Sequence, residues 1–153
     1  MMKAITSLAL FAAASTALVG SAFASAPEGW TTNLEKAFEQ AKAEDKAVLV
    51  EFTGSDWCPP CITMRKNVFS KETFVEKASE NFVLVELDFP RGDKEVAEKN
   101  RPYAEKYEID AFPTVILFDS EGEEFTRFPA SAHPTPEAFL DHLDKALEYK
   151  ELD

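Results

Sequence analysis

The chain has 153 residues, 45% of them hydrophobic, with 16 basic and 28 acidic side chains and a formal net charge of −12. That length supports one domain with one sizeable core. The acidic balance argues against nucleic acid and anionic membrane as partners, and its plainest effect is to keep the protein soluble.

Residues 1–24 have the features of a signal peptide. Lys3 supplies the positive start, small and apolar residues run from Ala4 to about Val19, and Ala22-Phe23-Ala24 is an A-x-A cleavage signal. Cleavage is expected after Ala24; a cut after Ala26 would leave Pro27 at the new N-terminus. The competing reading is a retained anchor, for which the apolar run is short. Cleavage would place the protein outside the cytoplasm, in an oxidising compartment, with no stable membrane insertion.

Residues 25–31 are expected to be a tether and 32–153 a single domain. Thr32-Asn33-Leu34-Glu35 matches a capping box, with Leu34, Ala37, Phe38 and Ala41 on one helical face as far as Asp45. Val48–Phe52 is predicted to be a buried strand. A helical stretch follows to Val68-Phe69, and Ser70 is positioned to cap another helix, carrying Phe74, Val75 and Ala78. Phe82–Leu87 is a second strand, and Lys94–Tyr107 a polar helix in which Pro102 predicts a break or kink. Val115–Phe118 and Glu123–Phe128 form a hairpin around Asp119–Gly122. Thr135 caps a last helix, with Pro136 at its first position and Phe139, Leu140, Leu143 and Leu147 on its apolar face. Alternating strands and helices predict an α/β fold: a central mixed sheet with helices on both faces.

Both cysteines of the chain lie in Trp57-Cys58-Pro59-Pro60-Cys61, between a strand and a helix. A disulfide across so short a loop is a poor staple, because it removes little entropy from the unfolded chain. A closed zinc site wants four ligands, and His133 and His142 are distant in sequence. The placement therefore favours redox chemistry. Cys58, at a helix N-terminus, is the expected nucleophile; Cys61, one turn on, is expected to resolve the mixed disulfide and to be more buried. Pro59 and Pro60 stiffen the loop and cannot donate to the sulfur. Trp57 either shapes the contact with a substrate or simply packs.

The sequence resembles the thioredoxin-like superfamily over nearly all of the chain after residue 24. The two anchors are Trp57-Cys58-Pro59-Pro60-Cys61 and Phe112-Pro113-Thr114. The stretch Phe52-Thr53-Gly54-Ser55-Asp56-Trp57-Cys58 is similar to a secreted bacterial subgroup. That subgroup resembles the C-terminal domain of the periplasmic membrane-bound transporter of disulfide reductant. The resemblance implies a periplasmic location and a cis Pro113 facing the dithiol. Backbone groups around Phe112 and Thr114 would then pair with an extended substrate. Without the resemblance, Pro113 reads as an ordinary trans proline opening a strand.

Glu51 stands inside an apolar strand, seven residues before Cys58. The resemblance implies a buried acid that moves the proton of Cys61, and burial would raise its pKa as that role requires. The alternative is an edge position or a pair with Lys46 or Lys66. One departure stands out. The family's glycine after the hairpin is replaced by Arg127-Phe128-Pro129-Ala130-Ser131-Ala132, which predicts a bulkier groove edge.

These residues predict a thiol–disulfide oxidoreductase working in the reducing direction on a protein disulfide or dithiol. A membrane-bound or soluble protein would supply the electrons, and no cofactor or metal is expected. Three alternatives remain: a disulfide oxidase or isomerase, a non-catalytic peptide-binding module, and a Cu(I)-handling protein using the cysteines with Met64.

Overall fold

The computed structural model describes residues 25–152, and the predicted signal peptide lies outside them. Four strands form one sheet in the order β2-β1-β3-β4. Strand β1 (Ala47–Thr53) pairs parallel with β2 (Phe82–Asp88) and antiparallel with β3 (Thr114–Phe118), which pairs antiparallel with β4 (Glu124–Pro129). The mixed sheet is thus as predicted. β1 and β2 are buried along their whole length, which explains their nearly continuous apolar sequence.

Alternation along each strand separates two cores. Val48, Val50, Phe52, Val85 and Ile116 meet Leu34, Ala37 and Ala41 of helix α1 (Leu34–Glu44), with Tyr103 of α4 (Lys94–Lys106) packed alongside. Leu49, Leu84, Val115 and Leu117 face the other way. They meet Met64 of α2 (Pro59–Met64), Phe74 of α3 (Glu72–Asn81) and Phe139 and Leu143 of α5 (Pro136–Leu152). Helices therefore cover both faces.

Several local expectations shift. The cap of α1 is Asn33, whose side chain accepts from the Lys36 amide at 2.9 Å. Thr32 does not cap, because the chain stays extended through Thr31. That residue bridges to β2, its amide on the Leu84 carbonyl and its carbonyl on the Glu86 amide, each at 2.9 Å. Glu35 receives the Tyr103 hydroxyl instead of reaching back to a cap. After α2 the helix widens into a π-helical segment, Arg65–Phe69, closed by the Ser70 amide on the Arg65 carbonyl. Ser70 thus ends one helix, and Lys71 opens α3 without a side-chain cap. Helix α4 runs unbroken through Pro102, which is exposed, so water can take the carbonyl that proline leaves unpaired. Thr135 caps α5 as expected, accepting from the Ala138 amide at 3.2 Å.

Trp30, predicted to lie in the tether, is only 9% exposed. Its indole donates to the Phe69 carbonyl at 3.1 Å, and its ring meets Phe69 edge-on and stacks with Phe74. Residues 30 and 31 thus belong to the packed domain. Truncating this side chain removes a large apolar surface and leaves a cavity. Trp30→Ala is expected to cost about 3–5 kcal/mol in urea unfolding, as for buried aromatics generally. A loss near zero would mean that the segment is only a tether.

Candidate active site

Three chain segments meet at one end of the sheet. Thr53 ends β1 opposite Asp88, the last residue of β2, and Phe52 pairs with Thr114, the first residue of β3. The loop after β1 carries Trp57 and Cys58. The loop after β2 carries Phe89 and Arg91. The segment before β3 carries Phe112 and Pro113.

Cys58 and Cys61 form a disulfide, with their Cα atoms 5.2 Å apart. Cys58 occupies the N-cap of α2, and Pro59 and Pro60 fill the first two helical positions. Those prolines offer no amide, so the first available donor is Cys61, whose N–H lies on the Cys58 sulfur at 3.4 Å. The Gly54 amide points at the Cys61 sulfur at 3.5 Å. Each sulfur therefore faces one backbone donor. Cys58 is 4% exposed and Cys61 1%, while Pro59 and Pro60 are exposed.

Trp57 ties the three segments together. Its indole donates to the Phe89 carbonyl at 2.7 Å, its ring meets Phe112 edge-on at 5.7 Å, and the Arg91 guanidinium lies over it at 4.6 Å. A Cβ on Gly54 would come within 2.6 Å of the ring, so glycine is needed for that close approach. Asp56, in the same loop, accepts from the Arg91 and Gly92 amides at 2.9 and 2.7 Å. Those bonds hold its carboxyl below the usual range. It staples one loop to the other.

The Phe112–Pro113 peptide is cis. The Pro113 carbonyl is taken by the Ala130 amide at 3.0 Å, and the Thr114 hydroxyl donates to the Ala111 carbonyl at 2.8 Å. Ala130, in the stretch where the resemblance expects glycine, is fully buried at the start of a short 3-10 turn.

Glu51 is 1% exposed, and neither carboxyl oxygen has a hydrogen-bond partner. It pairs with neither Lys46, which meets Glu44, nor Lys66. Strand alternation puts it on the sheet face beneath α2, the helix that bears the cysteines. Burial pushes its carboxyl well above the usual range, and the charge of Glu86 adds to this; the Thr53 hydroxyl and Arg65 offset only part.

Sequence reasoning missed three neighbours. Glu86 lies beside Glu51 in the parallel register. Arg65 approaches Glu86 at 3.6 Å. Asp88 accepts from the Ser55 amide at 2.9 Å and from its hydroxyl. An acid in an apolar strand was the available signal for Glu86, and it is the same signal that marks Glu51.

The two histidines are elsewhere, stacked on each other at 4.0 Å beside Phe128. Met64 is buried in the core, and no group of three or more His, Cys, Asp or Glu is gathered for a metal among the described residues.

A dithiol at a helix N-cap, beside a cis-proline segment on this sheet, defines a thioredoxin-like protein. The chain belongs to that family: the model described as a thioredoxin-like domain matches residues 34–147. It is similar to the disulfide bond reductase DsbH of Chlamydia pneumoniae, at 33% identity over 64% of this chain. It is also similar to the thiol:disulfide interchange protein DsbD of Yersinia pestis, at 29% identity over 67% of this chain. The matches span 60% and 16% of those relatives' own lengths. A solved structure of a DsbH oxidoreductase superposes with a TM-score of 0.69 at 26% identity, covering 88% of this chain and 95% of the other.

The raised carboxyl of Glu51 makes stability depend on pH. Below its ordinary pKa of 4.5, folded and unfolded chains both hold the proton. As pH rises, the unfolded chain releases it while the folded chain still holds it, so the fold loses stability. Glu51→Gln removes that dependence. The variant is expected to gain stability relative to the parent as pH rises above about 5, read by urea unfolding of the oxidised protein. A difference independent of pH would contradict the raised carboxyl.

Proposed function

We propose that the protein is a periplasmic thiol–disulfide oxidoreductase that reduces disulfides in other proteins. The observation that carries this reading is the Cys58–Cys61 pair at the N-cap of α2. Support for the reducing direction comes from the relative named a disulfide bond reductase. Support for the location comes from the signal-like residues 1–24.

In the reduced protein, the Cys58 thiolate attacks one sulfur of the substrate disulfide. A bond forms between Cys58 and that sulfur, and the other substrate sulfur leaves as thiolate. Cys61 then loses its proton and attacks the Cys58 sulfur. The substrate's second sulfur leaves, and the disulfide seen in the structure remains. Two electrons have passed from the dithiol to the substrate. Glu51, buried under α2, takes the Cys61 proton, because a carboxyl with a raised pKa can accept and return protons near neutrality. Trp57, Phe112 and Thr114, with the exposed Pro59 and Pro60, form the surface that meets the substrate strand, and the buried cis Pro113 sets the backbone behind it. A partner protein tied to the inner membrane returns the electrons.

Two variants test the assignment of roles, using reduction of insulin disulfides as the assay. Cys58→Ser is expected to abolish activity and to trap nothing. Cys61→Ser is expected to abolish turnover but to accumulate a mixed disulfide through Cys58, seen on a non-reducing gel. Turnover surviving in Cys58→Ser would contradict the proposed nucleophile.

A further inference from the structure

The proton that Glu51 takes needs a way out. Glu51 is buried, and it is not part of the wall of the cleft beside β2. Its neighbour is. Glu86 is 2% exposed, yet it lines a solvent-open cleft of about 520 Å³, together with Ser55, Asp88, Asp93, Lys99 and Asn100. The parallel register sets Glu86 directly beside Glu51, and both side chains project to the face under α2. One Glu86 oxygen faces Arg65 at 3.6 Å; the other has no hydrogen-bond partner. A buried carboxylate is costly unless it is paired and hydrogen-bonded, so the free oxygen of Glu86 calls for an explanation.

We propose that Glu86 is the second member of a two-carboxylate relay, which passes the Cys61 proton from Glu51 to water in the cleft. The relay rests on the role proposed above for Glu51. At rest Glu51 holds its proton and passes it to the free oxygen of Glu86 and from there to cleft water. As the Cys61 sulfur attacks Cys58, its proton moves to the Glu51 carboxylate so formed. Both carboxylates return to their starting state, and no redox co-reactant is involved.

The charges around the pair suit this task. Glu51 faces Glu86 and Asp88 from β2 and Arg65 from the π-helical segment. Burial raises the Glu86 carboxyl to about 7, with Arg65 lowering it and Asp88 raising it. It can therefore give up a proton near neutral pH more readily than a carboxyl held higher. At the cleft, Asp56, Asp93 and Lys99 are the charged groups nearer solvent. Asp88 accepts from the Ser55 amide and hydroxyl. Glu86 does not touch the reacting sulfurs; it acts through Glu51.

The test uses the full reduced chain and the chromogenic disulfide dithiobis(nitrobenzoate). The first thiolate released reports attack by Cys58, and the second reports attack by Cys61. Glu86→Gln is expected to leave the first phase unchanged and to slow the second by about tenfold or more near neutral pH, a modest share of what general acid–base catalysis supplies. Imidazole, small enough to enter the cleft, is expected to restore the second phase, as is Glu86→Asp. Adding Glu86→Gln to Glu51→Gln is expected to slow the protein no further, since the two act in series. Val96→Trp, which narrows the cleft while leaving both carboxylates in place, is expected to slow the same phase. A normal second phase in Glu86→Gln or Val96→Trp, with Glu51→Gln slow, would overturn the relay and leave the role of Glu51 standing. A slow second phase that imidazole does not restore would make Glu86 merely structural, and the relay would fall. A normal second phase in Glu51→Gln would remove both.

Discussion

Strand β1 is hydrogen-bonded on both sides, to β2 in parallel and to β3 in antiparallel. That double pairing brings the end of β1, the end of β2 and the start of β3 to the same edge of the sheet. Three loops then have no choice but to meet there. The indole of Trp57 fixes them, bonded to Phe89 from one loop and packed on Phe112 from another. Only with that framework does the first turn of α2 present Cys58 at its cap. The chemistry depends less on the motif itself than on the strand that delivers it.

The same strand carries the site's electrostatic problem. Two neighbouring strands place Glu51 and Glu86 side by side under a helix, Glu51 buried and Glu86 at the wall of a cleft. Two carboxylates so placed cannot both ionise cheaply, and one arginine balances only part of their charge. A fold selected for stability alone would fill these positions with apolar side chains, as it does at Leu49 and Leu84 one step back along the strands. Under the proposed mechanism, the acids stand where a proton must be moved. The opposite core, lined by Val50 and Val85, carries no such burden and packs as a plain hydrophobic layer.

Much of this was legible in the residues. Strands β1, β2 and β3 showed as apolar runs because both faces are covered, β4 showed as the return of a hairpin, and the dithiol showed because its spacing is local. Glu51 showed as an acid in an apolar strand. Glu86 carries the same mark but was passed over, because its meaning comes from the register between strands, which no local pattern encodes. Trp30 sat in an apparently featureless lead-in; its burial depends on Phe69 and Phe74, far along the chain. The cap moved from Thr32 to Asn33 because Thr31 is held by β2, a tertiary pairing that overrides a local signature. Pro102 did not interrupt α4 because exposure lets water do what the missing amide cannot.

The central claim is that Cys58 and Cys61 form a reducing dithiol. Its most direct test is the equilibrium reduction potential of the pair, measured against a calibrated thiol–disulfide couple. The account predicts a value near the thioredoxin end of the scale, at about −270 mV. A value near the strongly oxidising end, at about −120 mV, would contradict it and make the protein a donor of disulfides.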